Sequence, residues 1–197
     1  MLDGSSVTAL VVGGGQVALR KTTALLESGA RVHVVAPRIE AAFDELQERV
    51  VELEITRAPY ATGHLDDALL IVAATDDARL NARIAQDARA RGRLVNVADA
   101  PELGNCITPA VHRAGDIVVA VRAGGVPDAA ARIRDSIGQR LDERYADAVR
   151  DLATLRRTLL DQGRRDRWQE ASTALISADF CEQVESGRFA ERVAAWR

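Results

Sequence analysis

Along the first hundred residues of this chain, short apolar runs alternate with segments of helical periodicity. Val7 to Val12 is apolar and rich in β-branched residues, the pattern of a strand buried on both faces. Gln16 to Ser28 carries a helical pattern, and Gly29 is placed to end it. Ala30 to Pro37 predicts a second strand. Ile39 to Val50 puts Ala42, Phe43, Leu46 and Val50 on one helical face. Val51 to Thr56 alternates apolar and charged residues, as an edge strand does, and Ala68 to Thr75 reads as a fully buried strand. Thr75-Asp76-Asp77 can cap the helix that follows, and Arg93 to Asp99 predicts the next strand. The alternation predicts an α/β protein with a Rossmann-type doubly wound parallel sheet. Its ligand crevice lies beyond the carboxyl ends of the strands, which places Gly13 to Gly15, Thr75 and Asp99 along one rim.

After Pro109 the rhythm changes. Asp116 to Gly125 predicts one further strand with a Gly-Gly turn, and a helix follows from about Asp128 to Leu141. Beyond it Leu141, Tyr145, Val149 (or Ala148), Leu152, Leu155 and Leu159 recur at spacings of three and four, which predicts helices to the end. Arg150, Arg156, Arg157, Arg164, Arg165 and Arg167 occupy the other positions. No repeat or low-complexity linker interrupts the chain.

Chemistry enters with Gly13-Gly14-Gly15-Gln16-Val17-Ala18, between the first strand and the first helix. The spacing is G-x-G-x-x-G/A, with Ala18 in the third place. Gly13 permits the tight turn, Gly15 lets a diphosphate approach the backbone, and Ala18 lets the helix pack on the strand. The helix N-terminus then offers free N–H groups to phosphate. One expected part is missing. The end of the second strand reads Val35-Ala36-Pro37-Arg38, with no carboxylate for a ribose hydroxyl. Taken alone, Arg38 favours a 2′-phosphate and hence NADP.

Composition narrows the partners. A net charge of −3 argues against a general nucleic-acid binder, and 4% aromatic residues leave few platforms for stacked bases. No apolar run has the length of a membrane span, and no leader pattern precedes Val7. Cys106 and Cys181 are far apart and imply neither a disulfide framework nor a metal-ligand spacing. His33, His64 and His112 are scattered, so no metal site is predicted. These features read as a cytoplasmic protein.

In their order, the segments "VVGGGQVALRK", "GARVHVVAP", "IVAATDDARLN", "LVNVADAPELGNCITPA" and "GDIVVAVRAGG" followed by "AARIR" resemble the precorrin-2 dehydrogenase family, the N-terminal module of siroheme synthases. Some members of that family are also sirohydrochlorin ferrochelatases. The resemblance runs from about Val7 to Leu141, and more weakly to about Trp168. It implies an NAD-binding Rossmann domain over residues 1–109, a small α/β dimerisation segment over 110–141 and a C-terminal helical domain over 142–197, assembled as a homodimer. It implies NAD as cofactor, which outweighs the argument from Arg38. Family positions matching Gln16, Val17, Pro37 and Arg38 touch the dinucleotide, together with the glycine turn, and the key carboxylate matches Asp99. The implied activity is oxidation of precorrin-2 to sirohydrochlorin, with iron or cobalt insertion left open. Arg122-Ala123 and Pro127-Asp128 depart from the family pattern in a segment that helps line the tetrapyrrole pocket.

For the substrate's many carboxylates, arginines are apt partners through paired hydrogen bonds. Arg122, Arg113 and the arginine-rich tail are candidates, and Asn105 and His112 lie close enough in sequence to the crevice segments to join them. Asp99, at the end of a strand on the cofactor rim, stands where a general base is wanted. Two other readings remain open at this point: a non-catalytic NAD-sensing module and an S-adenosylmethionine-dependent enzyme, which also uses a glycine turn after its first strand.

Overall fold

A computed structural model describes residues 2–197. The chain forms two compact units, Met1–Thr108 and Pro109–Arg197.

In the first unit, β1 (Thr8–Val12), β2 (Arg31–Val35), β3 (Leu53–Thr56), β4 (Leu70–Ala73) and β5 (Leu94–Val97) form a wholly parallel sheet in the order β3-β2-β1-β4-β5. The crossovers are α1 (Gln16–Glu27) between β1 and β2, α2 (Ala42–Arg49) between β2 and β3, and α3 (Ala78–Ala90) between β4 and β5. The order reverses between β1 and β4, so a crevice opens where the chain leaves β1 in one direction and β4 in the other.

Residue alternation explains the layering. Leu10 and Val12 of β1 and Ile71 and Ala73 of β4 pack in one core with Ile84, Ala85 and Ala88 of α3. Ala9 and Val11, with Leu70 and Val72, pack in the other with Ala18 of α1 and Phe43 of α2. Both faces are therefore apolar. Each large side chain fully buried there contributes roughly 1.5–3 kcal/mol, more than the propensity differences of single residues.

Two boundaries differ from the sequence pattern for a physical reason. Helix α2 begins at Ala42 and not at Ile39, because Arg38 to Glu40 wraps the glycine turn, with Glu40 N–H donating to Gly14 C=O at 3.0 Å. The expected edge strand begins at Leu53 and lies at the β3 edge, paired with β2.

In the second unit the predicted single strand is a hairpin. β6 (Ala110–Ala114) pairs antiparallel with β7 (Ile117–Val121). The turn is Gly115-Asp116, with Gly115 at φ +56°. The short, charged Ala-Val-His-Arg-Ala sequence of β6 reads as a loop until its partner is known. Helix α4 (Pro127–Gly138) packs on the hairpin. Helices α5 (Glu143–Asp161), α6 (Arg165–Leu175), α7 (Phe180–Glu185) and α8 (Phe189–Ala194) follow. Their core contains Tyr145, Ala148, Leu155 and Leu159 of α5, so the three-and-four spacing marks the buried face, with Ala148 inside. Arg167 is spent within this unit, its guanidinium lying 4.5 Å from the centre of the Trp196 ring. Among the described residues no helix is long and apolar enough to cross a membrane.

Candidate functional site

The site is built on the carboxyl ends of β1, β2, β4 and β5. Gly13 follows β1 and donates its N–H to Val35 C=O at 3.1 Å. Its φ is +137°, and a Cβ there would come within 2.2 Å of Ala74 O, so only glycine fits. Gly14 holds the variable place of the motif, yet it is as restricted: a Cβ would lie 2.0 Å from Arg38 O. Gly15 differs. It is exposed and extended, and beyond its chain neighbours the one atom among the described residues within 4 Å of its would-be Cβ is Glu40 Oε1, at 3.8 Å. The first two glycines thus serve the protein's own packing, and the third leaves open space.

Gly15 is also the N-cap of α1, and it makes no side-chain capping bond. The first N–H groups of α1 therefore have no side chain satisfying them, at the positive end of the helix dipole. Fully buried Ala18 lets α1 lie close on the sheet. A dinucleotide diphosphate fits this arrangement: open space at Gly15, unsatisfied donors and a favourable dipole.

Other dinucleotide candidates surround that opening. Gln16, Val17, Pro37 and Arg38 are all exposed. Gln16 Nε2 donates to the Glu40 carboxylate. Glu40 is a residue that sequence reasoning missed. It stands too far beyond β2 to match the motif, and the wrap of Arg38–Glu40 over Gly14 brings it back to the turn.

Thr75 follows β4. Its hydroxyl donates to Asn81 Oδ1 at 2.7 Å and accepts from the Asp77 N–H at 3.2 Å. Asp77 caps α3, accepting from the N–H groups of Arg79 and Leu80. Asp99 lies exposed just past β5, and its Oδ1 accepts from Asn81 Nδ2 at 3.2 Å. Thr75 and Asp99 are therefore joined through one buried side chain, Asn81, which no motif in the sequence marks.

The remaining candidates are placed differently. Asn105 uses its side chain on the outer edge of β5, accepting from Val95 N–H at 2.7 Å and donating to Arg93 C=O at 3.0 Å. The segment around it is pinned further by Asn96 Nδ2, which donates to Cys106 C=O, and by Lys21 Nζ, which donates to Thr108 Oγ1. Burial, helped by Arg20, holds the Lys21 ammonium below its ordinary range. Burial likewise pushes the Cys106 thiol up, away from a nucleophilic thiolate. His112 and Arg122 belong to the second unit. His112 Nε2 is 2.7 Å from Leu141 C=O, tying β6 to the chain that follows α4. Arg122 and Arg113 are exposed, and among the described residues neither has an ion-pair partner. Among the described residues no cluster of three or more His, Cys, Asp or Glu side chains has the geometry to hold a metal ion.

Comparison with known proteins agrees with this geometry. A family described as "Putative NAD(P)-binding" matches residues 1–110. A siroheme synthase of Pseudomonas paraeruginosa is 40% identical over 195 residues, covering 93% of this chain and 40% of that protein. A siroheme synthase of Chromobacterium violaceum is 48% identical over 126 residues, covering 64% of this chain and 27% of that protein. The chain thus spans about 40% of the length of the Pseudomonas relative, and less of the other. The solved structure of SirC, precorrin-2 dehydrogenase, superposes with a TM-score of 0.76 at 28% identity, covering 99% of this chain and 98% of that one. The glycine turn at the mouth of a parallel sheet and the family match show that the chain belongs to the putative NAD(P)-binding family, within which it is similar to siroheme synthases and to SirC, precorrin-2 dehydrogenase.

Proposed function

We propose that this protein oxidises precorrin-2 to sirohydrochlorin with NAD as the hydride acceptor. The observation that carries the reading is one rim on which an open, uncapped helix N-terminus and a carboxylate, Asp99, both stand at strand ends. The whole-length likeness to SirC, precorrin-2 dehydrogenase, supports it. When bound, the dinucleotide supplies a ring that accepts a hydride. The protein's own share is positioning and proton transfer. The α1 N–H groups hold the diphosphate, and Asp99 accepts the proton released as the hydride leaves. Arg122 is the substrate contact in this reading, exposed and with no ion-pair partner among the described residues, whereas the side chains of Asn105 and His112 are taken up by backbone groups. The two free cysteines suit a reducing cytoplasm.

The test is anaerobic incubation with precorrin-2 and NAD, followed by absorbance. Sirohydrochlorin and NADH are expected to rise together, and no NADH would overturn the assignment. Adding iron(II) or cobalt(II) to the same reaction reads metal insertion.

Glu40 supports NAD over NADP. Its carboxylate sits at the glycine turn beside Gln16, where it would repel a 2′-phosphate and accept from a ribose hydroxyl. Glu40→Gln is expected to narrow the preference for NAD over NADP several-fold in binding titrations, and an unchanged ratio would assign the selectivity elsewhere. Including S-adenosylmethionine in those titrations separates the remaining alternative, since it is not expected to bind.

A homodimer built on residues 110–141 belongs to the same proposal. Ile117, Val118, Val119 and Val121 of β7 are each only half-buried, and Val111, Val126 and Ile133 are exposed. That apolar surface on and around one hairpin favours a partner copy. Light scattering is expected to show a dimer at micromolar concentration, and a monomer would sink this part.

A further inference from the structure

We infer that Asn81 is a positioning residue that aims the Asp99 carboxylate. The inference rests on reading Asp99 as the base. Asn81 lies in the first turn of α3 and is 1% exposed. Its Oδ1 accepts from Thr75 N–H at 3.2 Å and from the Thr75 hydroxyl at 2.7 Å. Its Nδ2 donates to Thr75 C=O at 3.1 Å and to Asp99 Oδ1 at 3.2 Å. Both donor hydrogens and both acceptor directions of the amide are used.

Three of these bonds hold the loop after β4 in place. The fourth reaches past the next strand end to a carboxylate that is otherwise free. Among the described residues no other hydrogen bond or ion pair reaches Asp99, and its exposure leaves no packing to choose its rotamer. The direction of the carboxylate is therefore set by one donor, and that donor is itself immobilised by the Thr75 backbone. A buried donor is shielded from competition with water, which strengthens its hold on a charged acceptor. Asparagine is the side chain that suits the place. Aspartate keeps the acceptor for Thr75 and lacks the donor for Asp99, and a serine hydroxyl cannot span both strand ends.

The test is a double-mutant cycle on the full-length protein, with an NMR readout beside it. Asn81→Ala is expected to lower kcat for precorrin-2 oxidation by roughly 10–100-fold, the rate equivalent of one hydrogen bond to a charged group, with NAD affinity within about twofold of wild type. In the Asp99→Ala background the same change should alter the rate by less than about twofold, because the residue it acts through is gone. Asn81→Asp retains the acceptor for Thr75 and sets a second carboxylate against Asp99 in place of the donor, so it is expected to lose at least as much kcat in the wild-type background. Equal losses in both backgrounds, or a loss confined to NAD affinity, would reduce Asn81 to a loop anchor. The side-chain amide signals of Asn81 should also move in Asp99→Ala, and unmoved signals would remove the contact itself. If Asp99→Ala alone keeps full activity, the reading of Asp99 fails first, on a variant that leaves Asn81 intact, and this inference falls with it.

Discussion

Asp99→Ala is expected to yield a folded, NAD-binding protein that oxidises precorrin-2 about 10²–10⁴-fold more slowly than wild type, the usual contribution of a general base. The size of the effect follows from the role, and its selectivity follows from the position. Asp99 is exposed at a strand end and contributes nothing to either apolar core of the first unit. The alanine leaves the buried Asn81 donor without its acceptor, which costs about 1–3 kcal/mol and lowers the thermal midpoint by several degrees without unfolding the protein. Asp99→Asn keeps the shape and an acceptor oxygen for the Asn81 Nδ2 donor, and it removes the charge that takes the proton. A similar loss in both variants assigns the carboxylate to proton transfer. If instead both variants lose stability and keep specific activity, Asp99 is a turn residue and the base must be sought at another group.

The glycine turn is expected to separate binding from folding. Gly15→Asp should abolish NAD binding while the protein stays folded. The would-be Cβ of Gly15 meets nothing closer than Glu40 Oε1 at 3.8 Å, and its backbone is extended, so a side chain is sterically tolerated. What it brings is a second carboxylate beside that of Glu40, now inside the space at the open end of α1 that the diphosphate must fill. Gly14→Ala should behave in the opposite sense. Its Cβ would fall 2.0 Å from Arg38 O, a backbone atom, and relief requires the wrap of Arg38–Glu40 to move. Overpacking of that kind costs about 1–3 kcal/mol, which for a chain of this length lowers the thermal midpoint by several degrees. Titration calorimetry and thermal melts on the two variants distinguish the cases. Wild-type NAD affinity in Gly15→Asp would place the diphosphate elsewhere.

The boundary between what was legible in the sequence and what was not can be drawn residue by residue. Alternation of Leu10 and Val12 against Ala9 and Val11 predicts a strand buried on both faces, because burial of apolar area dominates the energetics of both cores. The order of strands and helices then dictates a parallel sheet, since parallel strands need crossovers. The spacing from Gly13 to Ala18 predicts the turn and the open helix end, because both are consequences of backbone geometry over a few residues. Local patterns of this kind are readable without a fold.

Features that depend on two distant segments meeting were settled only by the tertiary structure. Strand β6 is too short and too polar to declare itself, and it exists because β7 offers it a ladder of hydrogen bonds. Glu40 reaches the glycine turn because Arg38–Glu40 wraps over Gly14, where the motif leaves a place any residue could fill. Asn105 and His112 resemble polar candidates in sequence, and the fold commits their side chains to the backbone of β5 and to Leu141. Asn81 looks like an ordinary helix residue until β4 and β5 lie side by side. Only then does a single amide lie within reach of both Thr75 and Asp99, because pairing the strands brings together loop ends that are far apart along the chain.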